Sequence, residues 1–273
     1  MTTQIMTKNS GRHTFRNALR NTSRSTFRIA LAGFVLALVH GCATGPNANP
    51  ADPLEPFNRG VFKFNDGVDR AILKPVATAY RDITPSPVRT GVSNFFGNLG
   101  DVWSLVNNVL QLKPKESVET LMRICFNTIF GFAGVLDIAT EMRLQKSPED
   151  FGETLGYWGV GPGAYVVLPF FGPSTVRDGL GRVVDASADL VNNTPRVRVR
   201  NPAIVLRVVD SRAGVLDAGE VIDQAALDKY AFTRDAYLQR RKSVIGREAA
   251  EVEERFDLPE VASTPAKPAS DAK

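Results

Sequence analysis

The sequence predicts an all-α protein, and two patterns support that fold class. Apolar residues recur at spacings of three and four along most of residues 52–245, which is the period of an α-helix. Proline repeatedly follows a capping residue, an arrangement that marks helix starts. Strand-like alternation is nearly absent, and Tyr165–Leu168 is the one short candidate. We therefore predict a single domain of amphipathic helices.

The first predicted helix is strongly amphipathic. It begins at Asp52-Pro53, where a capping residue precedes a proline, and Pro75 is predicted to end it. Charged and polar residues fill one face. The apolar face is formed by Leu54, Phe57, Val61, Phe64, Val68 and Ile72. Later helices are predicted to begin at Ser86, Asp101, Pro114, Ser147, Gly172, Asn201 and Asp223. The last of them is predicted to end at Arg241.

Residues 1–41 have the layout of a secretory signal. Basic residues without any acidic one precede residues 29–39, an uncharged apolar run that is too short to span a bilayer, which needs about 20 residues. His40-Gly41-Cys42 follows, and a cysteine after a small residue resembles a lipobox, in which the thiol is acylated and becomes the new N-terminus. His40 departs from this pattern, because alanine or serine is usual there. A buried cysteine after an ordinary signal is the alternative.

Removal of residues 1–41 changes what the composition indicates. The full chain has a net charge of +4, but six of its 33 basic residues lie in this segment, which leaves 27 against 29 acidic residues, a charge of −2. The basic balance therefore gives no support to nucleic-acid binding. His13 and His40 are the two histidines, so the mature chain lacks the residue that Ser-His-Asp and Cys-His mechanisms and histidine zinc sites need.

Composition divides the chain into four segments. We predict a signal peptide over residues 1–41, a flexible lipidated tether over 42–51, the helical domain over 52–245 and a disordered tail over 246–273. With Cys42 acylated, the remaining Cys125 has no partner for an internal disulfide. The apolar helical pattern around Cys125 predicts a small core residue.

Two uncharged segments, residues 124–136 and 156–172, are each too short to cross a membrane. One interpretation makes both of them the buried core of a soluble domain. The other is a monotopic protein, whose helices lie in one leaflet with their apolar faces toward the acyl chains. Glycine and proline interrupt the second segment, and such backbone is tolerated at membrane depth where protein covers it or where it lines a wet cavity. The acylated Cys42 favours the membrane interpretation.

A series of short motifs extends over residues 52–241. The earlier ones are DPLExFNR from Asp52, FN at Phe64, KPVA from Lys74, YRD from Tyr80, GxSNFxGNL from Gly91 and FNTIxG from Phe126. The later ones are FGxTLG from Phe151, GVG from Gly159, LPFxG from Leu168, RD at Arg177 and RDAYxQR from Arg234. Together these motifs resemble the MlaA/VacJ family of lipoproteins, and since they occur in order without a large gap, the resemblance runs from about residue 52 to residue 241.

The resemblance implies a ring-like domain of membrane-interfacial helices that lies flat in the inner leaflet of the outer membrane, lipid-anchored and facing the periplasm. A central amphipathic passage would let mislocalised phospholipid leave the outer leaflet, which maintains lipid asymmetry. The implied partners are phospholipid, a trimeric outer-membrane porin and a periplasmic lipid-carrier protein. No covalent bond changes in such transport, so the family implies no enzyme, no cofactor and no metal.

The same resemblance suggests which residues carry the function. Cys42 would carry the N-acyl and S-diacylglycerol groups. The candidates for the lipid passage are Phe57, Phe64, Asn65, Tyr157, Trp158, Tyr165, Phe170 and Phe171. For each phenylalanine, simple packing between helices is the alternative.

Two other functions remain open at this point. A hydrolase acting on lipid or peptidoglycan could use Glu149, Asp150 and Glu153, because paired carboxylates can do acid–base work without histidine. These acids also follow Ser147-Pro148 at a predicted helix start, where the helix dipole favours them. The second alternative is an envelope scaffold lipoprotein that moves no lipid.

Overall fold

The structure, a computed structural model, describes residue 49 and residues 52–256, with side chains as far as residue 246. The predicted signal peptide, Cys42 and most of the predicted tail lie outside the described residues. The chain forms two units that divide after Phe57, and every contact discussed below lies within the larger unit, from Asn58 onward.

Helices make up most of the described residues, which confirms the predicted fold class. In chain order the helices are α1 (Glu55–Val68), a π-helical segment (Asp69–Leu73), α2 (Lys74–Ile83), α3 (Ser86–Leu110), α4 (Pro114–Ile129), α5 (Ile138–Glu141), α6 (Phe151–Tyr157), α7 (Val176–Ala188), α8 (Val197–Gly214), α9 (Leu216–Ala225) and α10 (Lys229–Phe256). None of the described helices combines the length and the apolar character that crossing a bilayer requires.

One antiparallel hairpin interrupts the helices, between α6 and α7. Its strands are β1 (Tyr165–Leu168), as predicted, and β2 (Gly172–Thr175), which pairs with it. The predicted helix start at Gly172 is therefore wrong. Gly172 has a φ of +77°, a left-handed conformation that glycine adopts readily, and α7 begins at Val176, after the side chain of Thr175 caps it.

The predicted end of the first helix at Pro75 is also wrong. The chain stays helical from α1 into α2, because the π-helical segment lies directly before the proline. Its wider turn lets the Lys74 N–H donate to the Asp69 carbonyl, five residues earlier. A proline in the first turn of α2 loses no hydrogen bond that this turn needs.

Other helix boundaries also differ from the predicted ones. Asp101 caps no helix and instead lies buried inside α3, while Pro202 lies inside α8 rather than at its start. The helix predicted from Ser147 begins at Phe151, after a capping box formed by Asp150 and Glu153. The last helix does not end at Arg241 but continues to Phe256.

The distribution of side chains between surface and interior is inverted. Among the described residues, nine apolar side chains are buried, against twenty polar or charged ones. On α3 the buried side chains are polar, apart from Gly91, and those of α4 are Thr120, Arg123 and Asn127. Large apolar side chains are instead exposed along these and the other helices. A protein that folds in water buries its large apolar side chains first, so an apolar surface of this extent indicates an apolar environment around the helices.

Hydrogen bonds link the buried polar groups at the α4–α5 contact. The Arg123 guanidinium donates to both oxygens of Asp137, at 2.9 and 3.0 Å, and to the Leu144 carbonyl at 2.6 Å. Asn127 donates to Asp137 at 3.0 Å and accepts from the Ala139 N–H at 2.9 Å. This network takes the place that an apolar core has in a soluble helical protein.

Most of the uncharged segment 124–136 is exposed, including its large apolar side chains from Ile129 onward. Ile129 is 70% exposed and Phe132 77%, so the interpretation of this segment as a soluble core is wrong. The prediction of Cys125 as a core residue is wrong for the same reason: its side chain is exposed on the apolar face of α4. The period of a helix shows that it has two faces, but it does not say which of them turns inward.

Candidate functional site

Two asparagines of α1 hold the β-hairpin. Asn58 donates to the Tyr165 carbonyl at 3.1 Å and accepts from the Val167 N–H at 2.8 Å, as a neighbouring strand would. Asn65, two helical turns further on, donates to the Leu168 carbonyl at the end of β1 at 2.9 Å and accepts from the Phe170 N–H within the hairpin turn at 2.8 Å. These contacts fix the turn, and with it the side chains that the turn carries.

The candidate passage residues fall into separate groups. Phe64 and Phe170 meet edge to face, with ring centroids 5.3 Å apart, next to the Asn65 contact. Tyr157 and Trp158 form a second pair at 5.5 Å, and the indole of Trp158 donates to the Leu110 carbonyl at 3.0 Å. Both groups present exposed rings to the surroundings.

The remaining candidates differ from one another in burial. Tyr165 is only 1% exposed and packs between Tyr230 and Tyr237, in an apolar cluster that includes β1 and α10. Phe57 is 42% exposed. Phe171, at the tip of the hairpin, lines the cavity that is described next. The eight side chains therefore do not share one lining.

A cavity of about 560 Å³ lies between α3, the segment before α6, α7, the segment after α7 and Arg207 of α8. This volume is in the range of small-ligand sites, about 300–1,000 Å³. Its apolar lining includes Leu99, Val102, Trp103, Val106, Phe171, Leu190 and Val191. Its polar lining includes Asp101, Ser104, Lys146, Glu149, Arg182, Asp185, Asp189, Asn192 and Arg207. A lining of both kinds can hold a molecule that is itself part polar and part apolar.

Most charges around this cavity are paired. The Lys146 ammonium lies 3.2 Å from an Asp101 oxygen, and the Arg207 guanidinium lies 2.6 Å from Asp189. Burial raises the pKa of Asp101, although Lys146 acts in the opposite direction. These pairs allow charged groups to remain beside apolar ones, since each is compensated locally.

The three acids of the hydrolase hypothesis have structural partners. Glu149 is buried and pairs with Lys113 at 2.9 Å. Asp150 and Glu153 form the capping box of α6, and Arg241 pairs with both of them at 2.7 and 2.6 Å. Burial, and then the neighbouring Asp150, raise the pKa of Glu153 to about 7, which is the one property that a general acid would share.

Sequence reasoning missed the polar lining of the cavity. The sequence pattern predicts Asp101 as a helix cap, and Lys146, Arg182 and Asp185 lie outside the motifs of the family resemblance. A usable signal exists on α7, where two charges three residues apart, Arg182 and Asp185, interrupt the apolar pattern. The cavity itself could not be predicted, because it joins segments that are distant along the chain.

The family model of the MlaA lipoprotein matches residues 50–244, which is most of the chain. The chain belongs to the MlaA lipoprotein family. This match includes the hairpin, the cavity and the polar interior of α3 and α4 described above. Within the described residues, no group of three or more His, Cys, Asp and Glu side chains is placed to hold a metal ion.

Members of the MlaA family with a curated name are similar over most of their length. The "intermembrane phospholipid transport system lipoprotein MlaA" of Shigella flexneri and that of Escherichia coli K12 are each 38% identical over 223 residues, 78% of this chain and 86% of theirs. The Haemophilus influenzae lipoprotein of the same name is 34% identical over 233 residues, 81% of this chain and 90% of its own.

A solved structure has the same fold. It superposes with a TM-score of 0.63 and 37% sequence identity, covering 71% of this chain and 98% of the other. That structure was reported as a "structural basis for maintenance of bacterial outer membrane lipid asymmetry".

Proposed function

We propose that this chain is an outer-membrane lipoprotein that removes mislocalised phospholipid from the outer leaflet and passes it to a periplasmic carrier protein, without enzymatic turnover. The observation that carries the proposal is the inverted burial: the chain has a polar interior beneath an apolar surface. Its relatives named for intermembrane phospholipid transport support the same reading.

The apolar surface suits a bilayer environment. The exposed apolar side chains of α4 include Leu121, Met122 and Ile129, and Phe132 continues them just after the helix, so they form a face rather than isolated residues. In hydrocarbon such a face loses nothing by exposure, whereas in water each large side chain would cost about 1.5–3 kcal/mol relative to burial. The helices would therefore lie in one leaflet.

Cys42 would add the anchor. Each acyl methylene buried in the bilayer contributes about 0.8 kcal/mol, and stable anchoring needs two signals, such as a second chain. With the thiol and the new N-terminus both acylated, the chain would stay at the membrane on its periplasmic side. The family resemblance adds a trimeric porin beside it.

The cavity would let headgroup and tails travel together. A phospholipid needs polar contacts for its phosphate and apolar contacts for its acyl chains, and the lining offers charged residues beside Trp103, Val106 and Phe171. Phe171 is 71% exposed at the tip of the hairpin, so a bilayer lipid can reach it from outside. The tails would remain in hydrocarbon while the headgroup moves along the polar lining.

A strain that lacks this protein tests the proposal. We expect excess phospholipid in its outer leaflet and sensitivity to detergent, both reversed by the wild-type chain. Cys42→Ala is expected to reverse neither, because the precursor remains unacylated and mislocalised. Quantification of outer-leaflet phospholipid by accessibility to an external phospholipase provides the measurement.

The alternatives give different results in the same strain. A scaffold lipoprotein that moves no lipid predicts an unchanged outer leaflet after deletion. A hydrolase predicts that the purified chain degrades labelled phospholipid and that Glu153→Gln stops this. A Cys42→Ala chain that still reaches the outer membrane and restores asymmetry would show that the anchor is dispensable.

A further inference from the structure

The cavity contains one cation that has no acidic partner among the described residues. Arg182 of α7 lines the cavity, but its guanidinium donates to two backbone carbonyls, those of Phe171 and Pro173, each at 3.1 Å. Carbonyls orient the guanidinium without neutralising it. Since both bonds go to the hairpin, Arg182 is held in place at the mouth of the cavity beside the exposed Phe171.

Among the described residues, no cation is in contact with one carboxylate of the same cavity. Asp185 accepts hydrogen bonds from two neutral donors, the Trp103 indole N–H at 2.8 Å and the Phe151 N–H at 3.0 Å. Burial raises the pKa of Asp185, while the hydrogen bonds from Trp103 and Phe151 and, last, the charge of Arg241 act in the opposite direction. An ammonium group in contact would offset the burial of this carboxylate.

Arg182 and Asp185 are close enough along α7 to pair with each other, yet each is held by other groups. Arg182 and Asp185 stand three residues apart on α7, so they are neighbours on one helix face, with about 5–6 Å between their Cβ atoms. Such residues often pair with each other, but here the hairpin carbonyls hold one and Trp103 holds the other. The other charges of the cavity are paired: Lys146 with Asp101, Arg207 with Asp189, and Glu149 with Lys113.

We propose that Arg182 and Asp185 form a subsite for the zwitterionic headgroup of a membrane phospholipid, such as phosphatidylethanolamine. The phosphate would contact the Arg182 guanidinium, which suits phosphate oxygens, and the ammonium would contact Asp185. An anionic headgroup without an amine, such as phosphatidylglycerol, would satisfy Arg182 and leave Asp185 unpaired. This assignment rests on the proposed transport function, since it names the lipid class that the same cavity prefers.

Lipid that remains bound to the detergent-purified, acylated chain tests the subsite. We expect mass spectrometry to find a ratio of phosphatidylethanolamine to phosphatidylglycerol about three-fold higher than in the source membrane, in line with a partly exposed charge pair. Asp185→Asn keeps an oxygen for Trp103 and Phe151, and it is expected to return the ratio to that of the membrane. Arg182→Gln is expected to lower both lipids, because both carry phosphate.

A surface variant and a cell assay separate the possible outcomes. Arg198→Gln, an exposed residue at the start of α8, is the matched control and is expected to change neither lipid. The subsite would be overturned if the wild-type lipid ratio equalled that of the membrane, or if Asp185→Asn left the ratio unaltered. In either case the proposed transport would stand as long as the wild-type chain restores asymmetry in the deletion strain. A wild-type chain that fails to restore asymmetry in the deletion strain would overturn both proposals.

Discussion

Replacing Arg123 by alanine is expected to lower the free energy of unfolding by about 3–5 kcal/mol, because it removes one partner of a buried ion pair. The Arg123 side chain is 2% exposed, and it pairs with Asp137 at 2.9 Å, with Asp101 3.9 Å from its Nε atom. Without it, Asp101 and Asp137 face a polar interior with one cation fewer. Total stabilities are about 5–15 kcal/mol, so much of the folded state would be lost. Denaturant unfolding in detergent, followed by circular dichroism, measures this.

A lysine on the same helix provides the control. Lys115 of α4 is exposed, and Lys115→Ala is expected to change the stability by no more than about 0.5 kcal/mol. Arg123→Lys keeps the charge but loses the two-pronged contact with Asp137, so an intermediate loss is expected. If Arg123→Ala were no more destabilising than Lys115→Ala, the polar network would not be what holds α4 to α5.

Ile129→Asp is expected to weaken membrane association strongly. An aspartate at the bilayer centre costs about 2.5–3.5 kcal/mol, which corresponds to roughly two orders of magnitude in partitioning. A chain that begins at residue 43 is needed here, because the acyl anchor would otherwise mask the change. Flotation of this chain with phospholipid vesicles measures the fraction bound.

A control variant distinguishes the effect of the added negative charge from the effect of its position on α4. Lys115→Asp introduces the same acid at an exposed polar position of α4, and it is expected to leave flotation nearly unchanged. A surface position in a water-soluble protein tolerates either substitution within about 0.5 kcal/mol. Equal flotation of Ile129→Asp and the unsubstituted chain would therefore place Ile129 in water.

The sequence predicts the helices well and their inner faces poorly. Local periodicity defines the two faces of α4, but Cys125 and Ile129 lie on the exposed one because the interior is polar. The cap-like Asp101 is buried within α3 for the same reason. A rule that puts apolar residues inside assumes water as the solvent, and the pattern of the helix does not test that assumption.

Long-range pairing explains the other differences. Gly172-Pro173 resembles a helix start, but pairing of Gly172 with Leu168 makes it a strand, and no local signal reports that pairing. The family resemblance that suggests the aromatic candidates distinguishes neither the buried Tyr165 from the exposed Phe171 nor a cavity from its surroundings. Arg182 and its neighbours become a candidate site only when α3, α7 and the hairpin meet.

The proposed function requires that lipid rather than water surrounds the apolar surface. Cys125 is a native probe of that environment. Its thiol is exposed on the apolar face of α4, and in the acylated chain Cys42 does not compete for a label. A spin label on Cys125 in phospholipid vesicles is predicted to be relaxed by oxygen, which concentrates in hydrocarbon, and to be protected from a water-soluble nickel complex. Ready relaxation by the nickel complex, with little effect of oxygen, would place this face in water and contradict the account.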